Sequence, residues 1–430
     1  KVAVAVLSLS FALAAPANAT DLIGSGASFP DNLIQGCKAG FASATPHSYQ
    51  YNVSSSGLGQ ADAKIGKGDF WFSDGIFTTA LGKPATMLHA PIVAGPVAIA
   101  YNLNGNAGKT LSLSADTISG IFAGTITKWN DPAIVKDANR TVTTTKYVTK
   151  NGVIVKNADG TNKVLATRTT KVSFTLPNRP IKVVYRADDS GTTENFINYL
   201  KGATTKDAGW TKGKSFATAF KGTGGNIDGD GNLGRYISRQ KSQGVALEVA
   251  KTKDSITYVE TSFAADNNLP VASVYNASGS LVSPNTEGAV GAFLGSAKAG
   301  AEEGTYAFDY KTTEKGAYPI SIVSYLIFDT KYASASTAAA GAETIAPTTF
   351  STTSIGLAGS SSRAGISRIS AIFSCVACLS SSEKIPMLSE LLSVLGPNNL
   401  LKNSYNISRN NRNGNNDFFR IVFSQHVYTS

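Results

Sequence analysis

From about Asp21 to Phe328 the chain alternates short β-branched runs with amphipathic stretches, and this rhythm limits the fold more than any other feature. Residues 91–101, 181–185, 255–259 and 318–328 read as strands, because short, nearly continuous apolar runs suit strands covered on both faces. Residues 114–122 and 192–200 lie between them with apolar side chains at helical spacing. Such alternation predicts an α/β fold with mainly parallel sheets. About 300 residues of it exceed one comfortable core, so two lobes are expected. Residues 141–171, rich in Thr, Lys and Asn and carrying Asp159-Gly160, read as a surface hairpin inserted in the second lobe.

Both ends break the rhythm. The apolar run 2–15 followed by Pro16-Ala17-Asn18-Ala19 predicts a signal peptide over residues 1–19, cut after Ala19. The run is too short to cross ~30 Å of hydrocarbon. Only Lys1 stands for the basic start of such a leader, so further residues are expected upstream. Thr20 rather than Cys follows the cut, so the mature protein is expected to be exported and soluble, without a lipid anchor. Residues 333–430 read as a low-complexity, atypical tail, either disordered or the product of a frameshift. Their Ala/Ser/Thr/Gly stretch at 338–362 has linker composition, and the Asn- and Arg-crowded segment near 403–417 has no consistent period.

Composition excludes several functions. Of 430 residues only 16% are charged, against ~25% in an average soluble domain. The net charge of +10 is spread without a basic run, so no nucleic-acid partner is expected. Three His and three Cys argue against a metal centre and a disulfide scaffold. Cys375-Val376-Ala377-Cys378 has redox or zinc spacing but no second pair. No metal or cofactor is expected. His47 and His89, beside Pro46 and Pro91, read as surface-loop residues.

The informative features are three turns that open helices. Gly24-Ser25-Gly26-Ala27-Ser28-Phe29-Pro30 precedes a segment with Leu33, Ile34 and Phe41. Ser54-Ser55-Ser56-Gly57-Leu58-Gly59 leads into 60–65, and Arg186-Ala187-Asp188-Asp189-Ser190-Gly191-Thr192-Thr193-Glu194 links a buried strand to the helix with Phe196, Ile197 and Leu200. A helix start offers an anion unsatisfied N–H groups and a partial positive charge. Glycine permits close approach and Ser or Thr adds an O–H donor. One such turn is an ordinary cap, but three together, one with an Arg, point to a tetrahedral oxyanion.

These motifs, with Phe70-Trp71-Phe72-Ser73-Asp74 and Ile118-Ser119-Gly120-Ile121-Phe122-Ala123-Gly124-Thr125-Ile126-Thr127-Lys128-Trp129-Asn130-Asp131-Pro132, resemble the periplasmic phosphate-binding proteins of ABC importers, with some features of the DING type. Tyr258-Val259-Glu260 and Tyr318-Pro319-Ile320 fall in the family's order. The resemblance implies a periplasmic-binding-protein-like fold, two α/β lobes joined by a two-strand hinge with the ligand in the cleft. It implies a first lobe from 20–97 plus 258–332 and a second from 98–257. It implies phosphate binding by Ser28, Phe29, Ser56, Asp74, Arg186, Ser190, Gly191 and Thr192, with Asp188 steadying the Arg186 guanidinium. It implies a soluble periplasmic monomer, not an enzyme, that delivers inorganic phosphate to an inner-membrane ABC permease. Trp71 and Phe72 are bulkier than the family pattern, and the family's C-terminal helices find no match after Tyr332.

Two other readings use the same pocket: a secreted phosphatase or phosphotriesterase, and a binder of another oxyanion. Ser28 or Ser190 as nucleophile lacks a G-x-S-x-G elbow. Gly24-x-Gly26 begins like a dinucleotide motif, but Phe29 stands at its third glycine. Asp228-Gly229-Asp230-Gly231-Asn232 resembles a Ca²⁺ loop, but its twelfth position is Arg239.

Overall fold

A strand of 16 residues, Met87–Asn102, organises the molecule. At about 3.3 Å per residue it extends roughly 50 Å, far enough to serve two lobes. The computed structural model describes residues 21–330 apart from 45–46, 107, 140, 151–152, 172, 206–207, 221–226 and 228–233, together with 403–409 and 419–425.

Eight strands form one curled sheet: β1 (Asp21–Gly26), β2 (Ser48–Val53), β3 (Phe70–Ser73), β4 (Met87–Asn102), β5 (Lys182–Arg186), β6 (Tyr236–Arg239), β7 (Ser255–Glu260) and β8 (Ser321–Asp329). Their order across the sheet is β6-β5-β7-β4-β8-β3-β1-β2. β1 runs parallel to β2 and β3, and β5 runs parallel to β6 and β7. The central seam is antiparallel. β4 pairs with β8 from Met87 to Pro96, then with β7 from Val97 to Asn102. It therefore changes partner between Pro96 and Val97 and belongs to both lobes.

Each lobe carries helices on its sheet: α1 (Asp31–Ala44) and α2 (Ser56–Lys64) on the first, α3 (Ala115–Ala123), α4 (Gly191–Ala203) and α5 (Lys241–Lys251) on the second. Leu22, Ile34, Phe41, Tyr49, Phe70, Phe72 and Leu326 fill the first core. The second centres on Phe196, stacked on Tyr258 at 4.4 Å between ring centroids and edge-on to Phe122 at 4.8 Å. Trp129 and Trp71 are buried packing residues.

The chain returns to the first lobe later than 258. β7 pairs along its length with the second-lobe part of β4, and Ser273–Tyr275 pairs with Ser112–Leu113 beside α3. Only with Ala289–Leu294 does the chain pack against Ala94, Val323 and Tyr325 of the first-lobe seam. An apolar strand such as 255–259 reads alike whichever sheet receives it, so its partner was not legible.

The histidines differ from expectation as well. His47 and His89 are buried, at 4% and 6% exposure. β4 continues through Pro91 with a bulge at Ile92, so His89 lies within a strand; its Nε2 accepts the Phe77 N–H at 3.2 Å.

Within 141–171, Thr141–Tyr147 and Val164–Lys171 form an antiparallel pair, and Gly160 takes a φ of +80° at the distal turn. In the tail, Asn403–Arg409 pairs antiparallel with Phe419–Gln425. The expected leader at 1–19, most of the tail including Cys375 and Cys378, and the Ca²⁺-loop-like segment 228–232 lie outside the described residues. Among the described residues no helix is long and apolar enough to cross a membrane.

Candidate functional site

Three strand-to-helix turns meet where the lobes touch. β1 ends at Gly26 with φ +134°, and a Cβ there would stand 2.1 Å from the Phe72 carbonyl oxygen. Only glycine lets β1 lie this close to β3 before the chain turns through Ser28 and Phe29 into α1. β2 leads through Ser55, whose side chain accepts the Leu58 N–H, so that Ser56 is the first residue of α2. β5 leads through 187–190 into α4, where Ser190 caps the helix by accepting the Thr193 N–H at 3.2 Å. Each turn presents the free N–H groups of a helix start.

The turns close on one another. The Ser28 and Ser242 hydroxyls are 2.9 Å apart, and the Ser242 N–H donates to Ser28 at 3.2 Å. The Gly57 N–H donates to the Asp189 carbonyl at 2.9 Å. Asn195 Nδ2 donates to the carbonyls of Asp74 at 2.8 Å and Gly191 at 2.9 Å. A Cβ on Gly191 would lie 2.5 Å from Ser56 Oγ and 2.6 Å from the Gly75 nitrogen. All of these pairs except Asn195–Gly191, which lies within α4, join first-lobe to second-lobe residues, so the cleft is closed.

Arg186, 2% exposed at the end of β5, donates from Nε and Nη2 to the two Asp188 oxygens at 2.8 and 2.5 Å and from Nη1 to Ser242 at 3.0 Å. The Lys241 N–H also donates to Asp188, at 3.0 Å. Burial works against the Arg186 charge, but the Asp188 fork outweighs it and raises the pKa of the guanidinium. Burial likewise pushes Asp188 up, and the guanidinium brings it net below the usual carboxylate value.

Asp74 follows β3 directly. Its N–H donates to Ser56 Oγ at 3.1 Å, and the same hydroxyl lies 3.4 Å from its Oδ2. Oδ1 makes no well-formed hydrogen bond among the described residues. Burial, and then the nearby Glu260, raise the Asp74 pKa from 3.8 to about 7, against the opposing pull of Ser324, Arg186 and Ser56.

Ser28, Ser56, Asp74, Arg186, Ser190 and Thr192 are thus all buried at the contact between the lobes, with Gly191 in the tightest approach. Phe29 can offer only its backbone there, because its ring is packed in the apolar core. The Thr192 hydroxyl donates to Glu260 Oε1 at 2.5 Å. Four further residues belong to this constellation. Ser242 braces Arg186, Asn195 ties the lobes, Ser324 faces Asp74, and Glu260 stands beside Thr192. Ser324 lies opposite a bulge in β4, where Ile92 is left unpaired between Pro91 and Val93. Only Glu260 left a sequence signal, an acid closing the strand-like run 255–259. No group of three or more His, Cys, Asp or Glu among the described residues is placed to hold a metal.

Comparison with known proteins agrees with this architecture. The PBP superfamily domain matches residues 13–344. The phosphate-binding protein PstS2 of Mycobacterium bovis is 30% identical over 333 residues, covering 74% of this chain and 76% of the relative. The phosphate-binding protein PstS of Xylella fastidiosa is 29% identical, covering 71% and 70%. Among solved structures, a DING protein superposes with a TM-score of 0.52 at 21% identity, covering 75% of this chain and 85% of that one. The periplasmic phosphate-binding protein PfluDING superposes with a TM-score of 0.51 at 23% identity, covering 75% and 84%. The last two show a shared fold. The chain belongs to the PBP superfamily and, within it, to the PstS phosphate-binding proteins.

Proposed function

We propose that this protein captures inorganic phosphate in its cleft in the periplasm and presents it to an ABC permease of the inner membrane. The observation that carries this reading is the meeting of three helix starts from two lobes around the buried Arg186 guanidinium and the buried Asp74 carboxyl. The names of its relatives, phosphate-binding proteins of the PstS type, support the same ligand.

In this reading the amides of Phe29, Gly191 and Thr192, the hydroxyls of Ser28, Ser56 and Ser190, and Arg186 surround the anion. Asp188 holds the guanidinium so that its remaining N–H groups face the ligand. A Kd near 1 μM needs about −8 kcal/mol, which ~10 oriented hydrogen bonds worth roughly 1 kcal/mol net each can supply. Asp74 accepts the proton of a phosphate hydroxyl. Sulfate has none to give and would meet the carboxylate with repulsion alone. The protein is a carrier rather than a phosphatase: Ser190 caps α4 and Ser28 pairs with Ser242, so neither hydroxyl is set against a base.

Competition calorimetry with phosphate, arsenate and sulfate tests the proposal. Phosphate and arsenate should displace one another while sulfate competes poorly. Equal competition by sulfate would refute it. Absence of aryl-phosphate turnover, unchanged in Ser190→Ala, is expected alongside.

A further inference from the structure

Charge is shared unevenly along the chain. Residues 21–330 carry 30 Lys and Arg against 25 Asp and Glu, and the inserted segment 141–171 supplies six of the former and one of the latter. The rest of 21–330 is balanced at 24 against 24, so the insertion holds the entire excess. We propose that this insertion is a membrane-contact element that seats the protein on a bilayer of anionic phospholipid, its cations among the lipid phosphates and Val153, Val164 and Leu165 in the interfacial layer.

The insertion stands apart from the eight-stranded sheet. Among the described residues Thr141–Tyr147 and Val164–Lys171 pair only with each other, and Thr149–Lys150 with Val153–Ile154 extends the ribbon outward. A two-stranded ribbon is marginal in water by itself, and this one is braced on one side. Asn162 Nδ2 donates to Glu314 Oε1 at 2.7 Å, and Tyr147 and Ile154 rest beside Gly316. Lys146, Lys150, Lys156, Lys163 and Arg168 are exposed, and none is in an ion pair among the described residues. The one acid, Asp159, is engaged in its own turn, where Oδ1 accepts the Thr161 N–H at 2.9 Å and the Thr161 hydroxyl at 2.6 Å.

Lysines alone would be explained as protection of two open strand edges. The apolar side chains among them would not. Val153, Val164 and Leu165 are 42%, 51% and 65% exposed. Leu165 is the extra residue of a bulge, set between the Lys146–Ala166 and Tyr147–Val164 pairs. Lys163 precedes Val164, and Lys150 lies opposite Val153. Each exposed apolar residue thus has a lysine beside it. A bilayer surface satisfies both kinds at once: apolar side chains enter the headgroup layer, while lysine stems lie along it and hold the ammonium groups among phosphates. An acidic protein is the weaker fit. It would add a strand to an edge, which the bulge and the lysines oppose, or set fixed acids against five flexible cations, which leaves the apolar trio unexplained.

The test is co-sedimentation of the full chain with vesicles of phosphatidylcholine alone and of phosphatidylcholine mixed equally with phosphatidylglycerol. The readout is the extra protein retained by the anionic lipid, compared between the parent and variants of the same chain, so that contributions from other segments cancel. The parent should show this excess at about 50 mM salt and lose most of it by about 500 mM, where screening shortens to a few ångströms. Lys146→Gln, Lys150→Gln and Lys163→Gln together should lower partition into anionic vesicles at least about tenfold. Leu165→Ser alone should lower it about threefold or more. Both variants should keep the parent's melting temperature and phosphate titration, because the ribbon lies outside the cleft. No excess at low salt, or an excess that the triple variant leaves intact, overturns the proposal. So does an excess that the triple variant abolishes and Leu165→Ser does not touch, the outcome expected of a docking site for an acidic protein. Each of these results leaves phosphate capture standing.

Discussion

Asp74 is the residue on which selectivity and pH response both turn. Asp74→Asn exchanges an acceptor that repels sulfate for an amide that can donate, so sulfate affinity should rise about tenfold or more in competition calorimetry. The same carboxyl has a stability signature. Its pKa is raised from 3.8 to about 7 in the fold, so between those values the folded state holds a proton that the unfolded state has released. Rising pH therefore costs the ligand-free protein stability across this window, on the order of 4 kcal/mol when complete. Urea melts at about pH 5 and about pH 8 should show roughly 2.5–3 kcal/mol of this loss in the parent and little of it in Asp74→Asn. Arg186→Lys keeps the charge but loses the two-pronged grip on Asp188, and should weaken phosphate binding by about 1.5–3 kcal/mol. Arg186 and Asp188 were legible because they sit in one contiguous turn. Ser242 and Ser324 were not, since a serine in an unremarkable segment gives no sign of which buried charge it will face. His89 was misread because Pro91 suggested a loop where β4 continues.

At the scale of elements, the device is the strand-to-helix turn used three times, and its precision depends on how closely the turns approach. Gly191 is the sharpest case. It is absent from the positive-φ glycines, so alanine fits its backbone, yet a Cβ there meets Ser56, Gly75 and Asp74 within 2.5–2.8 Å. Those neighbours belong to the other lobe. Gly191→Ala should therefore leave the ligand-free melting temperature near that of the parent while lowering phosphate affinity between about fivefold and 100-fold. Melting curves and titrations of the same preparation separate the two effects. The helix starts and the strand–helix alternation could be read from the sequence because caps, glycines and periodicity are local. Strand partners could not: β7 sits with the second lobe through pairing with β4, a contact over more than 150 residues that no local signal encodes.

The whole molecule is a clamp whose two halves share β4 and meet across a polar seam. Each half contributes donors, so an anion held between them favours the closed arrangement by the contacts it makes to both. It also stabilises the fold. At a phosphate concentration about 100 times Kd the gain is about 2.7 kcal/mol, which should appear as a rise in melting temperature with phosphate and a far smaller one with equimolar sulfate. The most direct measurement of the central claim is isothermal titration of the ligand-free protein with phosphate near neutral pH, followed by the same titration with sulfate. A single site of about micromolar affinity or tighter for phosphate, with sulfate giving no comparable heat, is the predicted result. Silence with phosphate, or equal binding of the two anions, would contradict it.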